Sequence, residues 1–551
     1  MIAFEGLNDN LQFIILETSS QIEAILDYIK NPLRQKHKQI IDRDDYVDNL
    51  KAVIENLCFG QMASSSVKKS KSDTDALRAV HIIAVNLERI ADNCISILKQ
   101  TDYLRDIDFL YQFNYEEILH RLRNGIQMIP GVFQKRRLND ALDICKIEDE
   151  IDIHYKNNFE LILQKLEEGG SSRNLVTVLF IYMYLERMGD SLLNIGEALI
   201  IGIVGEKIRI SQIQLLAQSL DKQGAEEDLS GMAFRSFWGT RSGCRISQVT
   251  IRDSEEKNEY RNSIFKEGSI AKIAREKENL ETWHRLFPDV APRLYSSRTQ
   301  EDTASLLMEY IEGNTLDEII LSADANLLPT VFRAFTDLCN SIWTSTKRDT
   351  PIPTDYVAQI KNRIAGVRDV HPDFFRSELL LGDVRIQSSN ALIDICEKAE
   401  SSLTAPFTVR IHGDFNVSNI MFVPQEERIR FIDMYRSKDG DYIQDASVFL
   451  VSNFRLPVLD VPIRKKLNWV IESFFNFVKD FAKRQADDTF EFRMTLALAR
   501  SLYTSTRFEL NNLLAKEMYL RAHYLLDKLA AFINADNDIR SFNTPESVLY
   551  Y

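Results

Sequence analysis

The chain has 551 residues, more than one hydrophobic core holds, so two or three domains are expected. With 45% hydrophobic and 27% charged residues it has the composition of a soluble globular protein. A net charge of -14 excludes a general nucleic-acid binder, which needs a cationic face. Six scattered cysteines without a CxxC pair fit a reduced compartment rather than a disulfide framework. The start MIAFEGLNDN lacks a signal peptide's basic and apolar regions, and no apolar run reaches the ~20 residues of a spanning helix. A soluble, cytoplasmic protein with no transmembrane segment is expected.

From Asn8 to about Gly205 apolar residues recur at three and four, which predicts long helices. This half contains a repeat. NLERIADNCISIL at Asn86–Leu98 matches YLERMGDSLLNIG at Tyr184–Gly196, and one offset relates Glu88 to Glu186 and Asp92 to Asp190. A polar break (SSSVKKSKSD, EEGGSSRN) and an acidic-start helix precede each copy, so two three-helix units, about 1–105 and 106–207, are expected.

Glu88 and Asp92 share one helix face, as do Glu186 and Asp190. Like charges at this spacing want a cation or a donor, and paired carboxylates are hard ligands. The duplicated ERxxD signature resembles the PhoU family of phosphate-signalling regulators. The resemblance implies metal clusters on these acids. Glu88, Asp92, Glu186 and Asp190 then become candidate ligands, with Asp45, Asp48, Asp149 and Asp152 as second contributors. An acidic stripe satisfied by lysine, arginine and water is the other reading, and both stay open. The resemblance also implies a phosphate-transporter or sensor-kinase complex as partner.

A polar linker, 208–233, follows, with KQGAEEDLSG its least structured part. Beyond it the short β-type runs CRISQVTI, NSIFKEG, ASLLMEYI, TVRIHGD and RIRFIDM alternate with helical stretches, and Pro462–Asn534 is mostly helical. The expected architecture is multidomain: an all-α pair of three-helix bundles, an α+β bilobal domain at 234–540, and a tail at 541–551.

RIHGDFNVSN at Arg410–Asn419, followed by Asp433, carries the chemistry. Phosphoryl transfer needs a carboxylate to orient the attacking hydroxyl and oxygen ligands for the magnesium that bridges the ATP phosphates. Asp414 suits the first task; Asn419 and Asp433 suit the second. The set resembles the catalytic and metal loops of the aminoglycoside phosphotransferase and choline kinase superfamily, whose fold is protein-kinase-like. By that resemblance Asp414 is the base and His412 braces the loop. Asn419 and Asp433 hold magnesium, and Asp445 in GDYIQD anchors the loop through backbone hydrogen bonds.

Upstream, Lys266 ends a β run and would meet the ATP phosphates, oriented by Glu276 on the next helix. Glu278 is the alternative; Glu276 is preferred because Leu280 and Trp283 continue its register. LLMEYIEGNTL resembles the hinge, with backbone groups near Glu309 and Ile311 toward adenine and Met308 lining its pocket, although a plain buried strand reads equally well. WGTRSGCRIS at Trp238–Ser247 stands where a phosphate-covering loop belongs but lacks GxGxxG.

The leading expectation is an ATP- and magnesium-dependent kinase of a small-molecule hydroxyl, with a PhoU-like domain for phosphate-linked regulation or docking. The alternative is an adaptor that binds nucleotide with little turnover. A protein kinase is disfavoured, since Met434 and Tyr435 follow the metal aspartate and no APE element is present. The acceptor and the oligomeric state, a homodimer included, are left open.

Overall fold

The computed structural model describes residues 6–63, 71–205, 233–237, 244–252, 260–300, 303–322, 327–375, 378–458 and 460–550. Most of the expected linker, and Trp238–Gly243 of the expected phosphate-covering loop, lie outside these residues. The chain divides into two compact units: Met1–Gly268 with Ser296–Leu307, and Ser269–Tyr295 with Met308–Tyr551.

The first unit begins with six long helices: α1 (Leu7–Lys30), α2 (Arg34–Ala63), α3 (Lys71–Thr101), α4 (Tyr115–Lys135), α5 (Leu138–Glu167) and α6 (Ser172–Val204). Their apolar spacing dictates the packing. On α6, Val178, Ile181, Leu185, Met188, Leu192, Ile195 and Leu199 alternate by three and four and are at most 1% exposed. On α3, Leu77, Val80, Ile83, Leu87, Ile90, Cys94 and Ile97 recur at steps of three or four and are as deeply buried. These seams bring α3 and α5 against α6, and each fully buried leucine or isoleucine contributes roughly 1.5–3 kcal/mol. Gly196 lets α5 approach α6 closely, because a Cβ there would fall 2.3 Å from Cys145 Sγ. All six cysteines are buried and free. Among the described residues no helix is long and apolar enough to cross a membrane.

The same unit holds most of a sheet ordered β1-β2-β3-β5-β4, from strands Ala233–Phe237, Arg245–Arg252, Tyr260–Ser269, Leu294–Gln300 (β4) and Thr303–Glu309 (β5). The runs CRISQVTI, NSIFKEG and ASLLMEYI form β2, β3 and β5. β4 was not anticipated: LYSSRTQ is polar and lies half exposed at the sheet edge, so it lacks the alternation that marks a strand.

The second unit is mainly helical. Its core gathers Phe335, Phe449 and Phe474, with ring centroids 4.2–5.4 Å apart, from helices Leu327–Ser345, Tyr442–Phe454 and Val461–Arg484. Two short antiparallel pairs ride on this core: Val409–Ile411 with Lys438–Gly440, and Ile420–Val423 with Arg428–Phe431. Phe415, between the pairs, places its ring 5.7 Å from Phe335. The polar segment His412–Asn419 is thus fixed to the core by its one large apolar side chain. The hairpin Leu379–Leu381 and Val384–Ile386 was not foreseen; Gly382, with φ 60°, makes its turn.

Candidate active site

The backbone of the HGD turn is held from beneath. Asp445, 2% exposed on helix Tyr442–Phe454, accepts the His412 N–H at 2.6 Å and the Gly413 N–H at 2.8 Å. Burial pushes its carboxyl up to about 6, against the pull of His412 and these two donors, and Asp414 adds to the rise. Gly413 has φ 82°, and a Cβ on it would come within 2.2 Å of the Arg436 carbonyl oxygen, so only glycine fits. His412 is 1% exposed. Its Nε2 donates to the Ile432 carbonyl at 2.9 Å, and its Nδ1 faces the Asp414 N–H at 3.3 Å. One imidazole therefore spans the segments that carry Asp414 and Asp433.

Asp414 presents a carboxylate whose side chain is 21% exposed. Its Oδ1 accepts from Asn416 Nδ2 at 2.6 Å, and its Oδ2 lies 3.6 Å from Arg436 Nη1. Asn419 donates Nδ2 to the Asp414 carbonyl at 2.9 Å, while its own carbonyl accepts the Ile432 N–H at 3.0 Å. With its Nδ2 committed, Asn419 offers the amide oxygen, the atom a hard cation would use. Asp433 has φ 63° and ψ 58°, the left-handed region that a non-glycine residue adopts at a cost.

The helix Ile270–Leu286 joins this set. Asn279 donates to the carbonyls of Met434 at 2.9 Å and Tyr435 at 3.3 Å, and accepts from Arg410 at 2.8 Å. Trp283 Nε1 donates to Ser437 at 2.7 Å. Glu276 on this helix is 2% exposed, whereas Glu278 is on the exposed side. Lys266, on β3, is 3% exposed and belongs to the other compact unit.

In the expected hinge, Met308 and Ile311 are both 5% exposed. Glu309 departs from the simplest reading. Its N–H is committed to the Arg293 carbonyl at 2.8 Å, and its carboxylate accepts from the Arg293 N–H at 2.9 Å and from Arg430 at 2.7 and 2.8 Å. The Glu309 N–H is therefore engaged within the protein rather than turned toward a ligand. Burial alone would raise its carboxyl, yet Arg430 and the Arg293 N–H bring it below the usual glutamate range.

On the helical half, Glu88 and Glu186 are half-buried and Asp92 and Asp190 exposed. Burial, then neighbouring acids, raises Glu186, and Asp92 rises for the same reasons. Lys51 meets Glu88 at 3.2 Å. The acids that α2 and α5 bring to these pairs include Asp44 and Glu148 beside Asp48 and Asp152, two residues absent from the sequence-based set, which named Asp45 and Asp149 instead. Asp44 is pushed up to about 6 by burial, Asp92, Asp48, Asp45 and Glu88. Among the described residues no group of three or more His, Cys, Asp or Glu is arranged to hold a metal ion. Of the two readings left open for these acids, the metal cluster thus has no assembled ligand set among the described residues.

Asn416, Arg430 and Arg436 also escaped sequence reasoning. Asn416 lies inside the HGDFNVSN motif and could have been flagged as a donor to Asp414. Arg430 alternates with apolar neighbours in RIRF, a pattern that ordinarily points a polar side chain to solvent.

Residues 14–101 and 116–199 match the PhoU domain, and residues 246–469 match the phosphotransferase enzyme family. The phosphate-specific transport system accessory protein PhoU homolog of Clostridium acetobutylicum is 27% identical over 211 residues, 38% of this chain and 95% of that protein. The crystal structure of the phosphate transport system regulatory protein PhoU from Streptococcus pneumoniae aligns with TM-score 0.34 and 20% identity, covering 37% of this chain and 97% of that one. The ethanolamine kinase of Plasmodium vivax aligns with TM-score 0.35 and 12% identity, covering 61% of this chain and 94% of that one. The chain therefore joins a PhoU domain in its N-terminal half to a phosphotransferase-enzyme-family domain in its C-terminal half.

Proposed function

We propose that the C-terminal domain transfers the γ-phosphoryl group of ATP to a hydroxyl of a small molecule. The observation that carries this is the Asp414 carboxylate. It is accessible, oriented by Asn416, and borne on a turn whose backbone Asp445 and His412 hold from two sides. A fixed carboxylate of this kind orients an attacking hydroxyl and accepts its proton. Asn419 and Asp433 supply an amide oxygen and a carboxylate, which fit magnesium. These two residues would hold a magnesium ion there, which would offset the negative charge of the ATP phosphates. Lys266 is assigned to those phosphates and Glu276 to orienting it. Met308 and Ile311 are assigned to the adenine side, Glu309 to bracing that segment through Arg430, and Asp445 to anchoring the loop.

The PhoU domain is assigned to docking on a phosphate-transport or sensor-kinase complex in the cytoplasm, linking transfer to phosphate supply. The boundaries we assign are 1–207, 208–233, 234–540 and 541–551.

The test is a screen of hydroxyl-bearing metabolites for magnesium-dependent ATP consumption by the full chain, with Asp414→Ala as control. Consumption with at least one acceptor, lost in the control, supports the assignment. Nucleotide binding with no transfer to any acceptor would favour the adaptor reading.

A further inference from the structure

Three guanidinium groups from separate elements lie near enough to feel one another's charge, and two of them, Arg436 and Arg363, also feel Asp414. Arg436 follows Asp433 and stands 3.6 Å from the Asp414 carboxylate. Arg363 lies between helices Tyr356–Lys361 and Ile364–Val370. Arg507 lies on the turn Thr506–Phe508 that ends helix Phe490–Ser505. That turn is fixed: His371 Nε2 makes hydrogen bonds to the carbonyls of Thr506 at 3.1 Å and Glu509 at 2.8 Å, on both sides of Arg507. A Cβ on Gly366 would sit 3.8 Å from Arg507 Cδ, so Arg507 lies along the helix that follows Arg363. Arg363 and Arg507 are both half-buried.

The charges feel one another. Burial, then Arg507 and Arg436, lowers the pKa of Arg363, with Asp414 and Asp355 opposing. Burial, then Arg436, lowers that of Arg507. Of the two opposing acids, Asp355 accepts from Gln359 at 2.7 Å and Asp414 belongs to the transfer machinery.

Other arginines of this unit are neutralised differently. Arg493, 0% exposed, is paired with Asp441 and Asp487; Arg430 is paired with Glu309, and Arg410 reaches Asp439 at 3.4 Å. Arg363 and Arg507 have no carboxylate at ion-pair distance among the described residues. The Nε of Arg507 is buried without a hydrogen-bond partner there. The guanidinium of Arg507 lies 4.3 Å from the centroid of the Phe508 ring, yet gathering partly desolvated cations without carboxylate partners opposes folding. Guanidinium forks are also the side chains best suited to two-point recognition of a carboxylate or phosphate.

We infer that the acceptor phosphorylated here is a hydroxyl compound that carries its own oxyanion, a carboxylate or a phosphate, held beside Asp414 by Arg363, Arg436 and Arg507. The inference rests on the phosphotransferase reading above. It predicts discrimination against amino alcohols and aminoglycosides, whose ammonium groups the cluster repels.

The experiment titrates the full chain, saturated with magnesium and a non-hydrolysable ATP analogue, with glycerol, ethanolamine, glycerate and glycerol phosphate. Binding of glycerate or glycerol phosphate at least about tenfold tighter than glycerol or ethanolamine is expected, and the stronger of the two separates carboxylate from phosphate recognition. Arg363→Gln and Arg507→Gln lose that preference, Arg363→Lys loses less of it, and nucleotide affinity is unchanged in all three. Preference for ethanolamine, equal binding of all four, or unchanged preference in both Gln variants overturns the inference while the phosphotransferase reading stands. Loss of nucleotide affinity in these variants overturns it too, by placing the arginines on ATP. Failure of the unaltered chain to bind the nucleotide would remove the phosphotransferase reading as well.

Discussion

Asp445 holds His412 by its backbone, not its ring: the carboxylate accepts the His412 N–H at 2.6 Å while the imidazole is turned to Ile432. A protonated carboxyl would present an O–H to one of the two N–H groups that now donate to it. Since Asp445 titrates at about 6 in the fold, kcat should fall as pH drops through about 6. Stability should move the other way. The folded state takes up this proton more readily than the unfolded chain, so the Asp445 contribution declines as pH rises from 3.8 to about 6. A pH–rate profile beside melting curves at matched pH checks both signs, and Asp445→Asn should flatten the acid limb while lowering kcat throughout.

Asp414→Ala should lower kcat by about 10²–10⁴-fold, the usual worth of a positioned base, and leave affinity for magnesium and nucleotide within a factor of about two. Single-turnover measurements with the acceptor found by the screen decide the matter. Near-normal turnover would remove Asp414 from its role.

Arg430 and Glu309 form a two-point ion pair whose side chains are 6% and 22% exposed. Removing one partner strands the other, so Arg430→Ala should destabilise by about 3–5 kcal/mol. Arg430→Met with Glu309→Leu should cost less than the sum of the single changes. Because the pair holds Glu309 below its ordinary pKa, its contribution persists above that value and is lost as pH falls through the lowered one. Denaturant titrations of the full chain, followed by the transition of the unit containing Arg430, measure both effects.

On the helical half, Asp44→Asn should raise the melting temperature at pH 8, and the gain should shrink as pH falls from about 6 to 3.8. The fold raises this carboxyl from 3.8 to about 6, so its cost to stability grows across that interval and is complete above it. The gain should stay below about 1 kcal/mol, because the group is half exposed and solvent screens its neighbours. An equal shift at pH 8 and below pH 3.8 would mean that the acidic grouping does not cause it.

The two-part architecture was legible because helical periodicity and short β runs are local signals. The HGD turn was legible because His412, Gly413, Asp414 and Asn419 are nearly contiguous and each suits a proposed role that few other side chains fill. Arg363 and Arg507 were not. They lie far apart in the chain and meet only through packing of the helical unit, so no spacing announces them. Asp44 and Glu148 were missed for a smaller reason: each adjoins another acid, and helix rotation alone selects which one faces the neighbouring pair.

The bonds of Asn279 to the carbonyls of Met434 and Tyr435, with that of Trp283 to Ser437, have a mechanical consequence. The helix Ile270–Leu286 and the segment after Asp433 are tied by three side-chain hydrogen bonds. Swinging the helix away would either drag Asp433 with it or break three hydrogen bonds, at about 0.5–1.5 kcal/mol each. Displacing Glu276 with its helix would therefore displace the segment after Asp433 as well, so the two roles proposed for them would be lost or restored together.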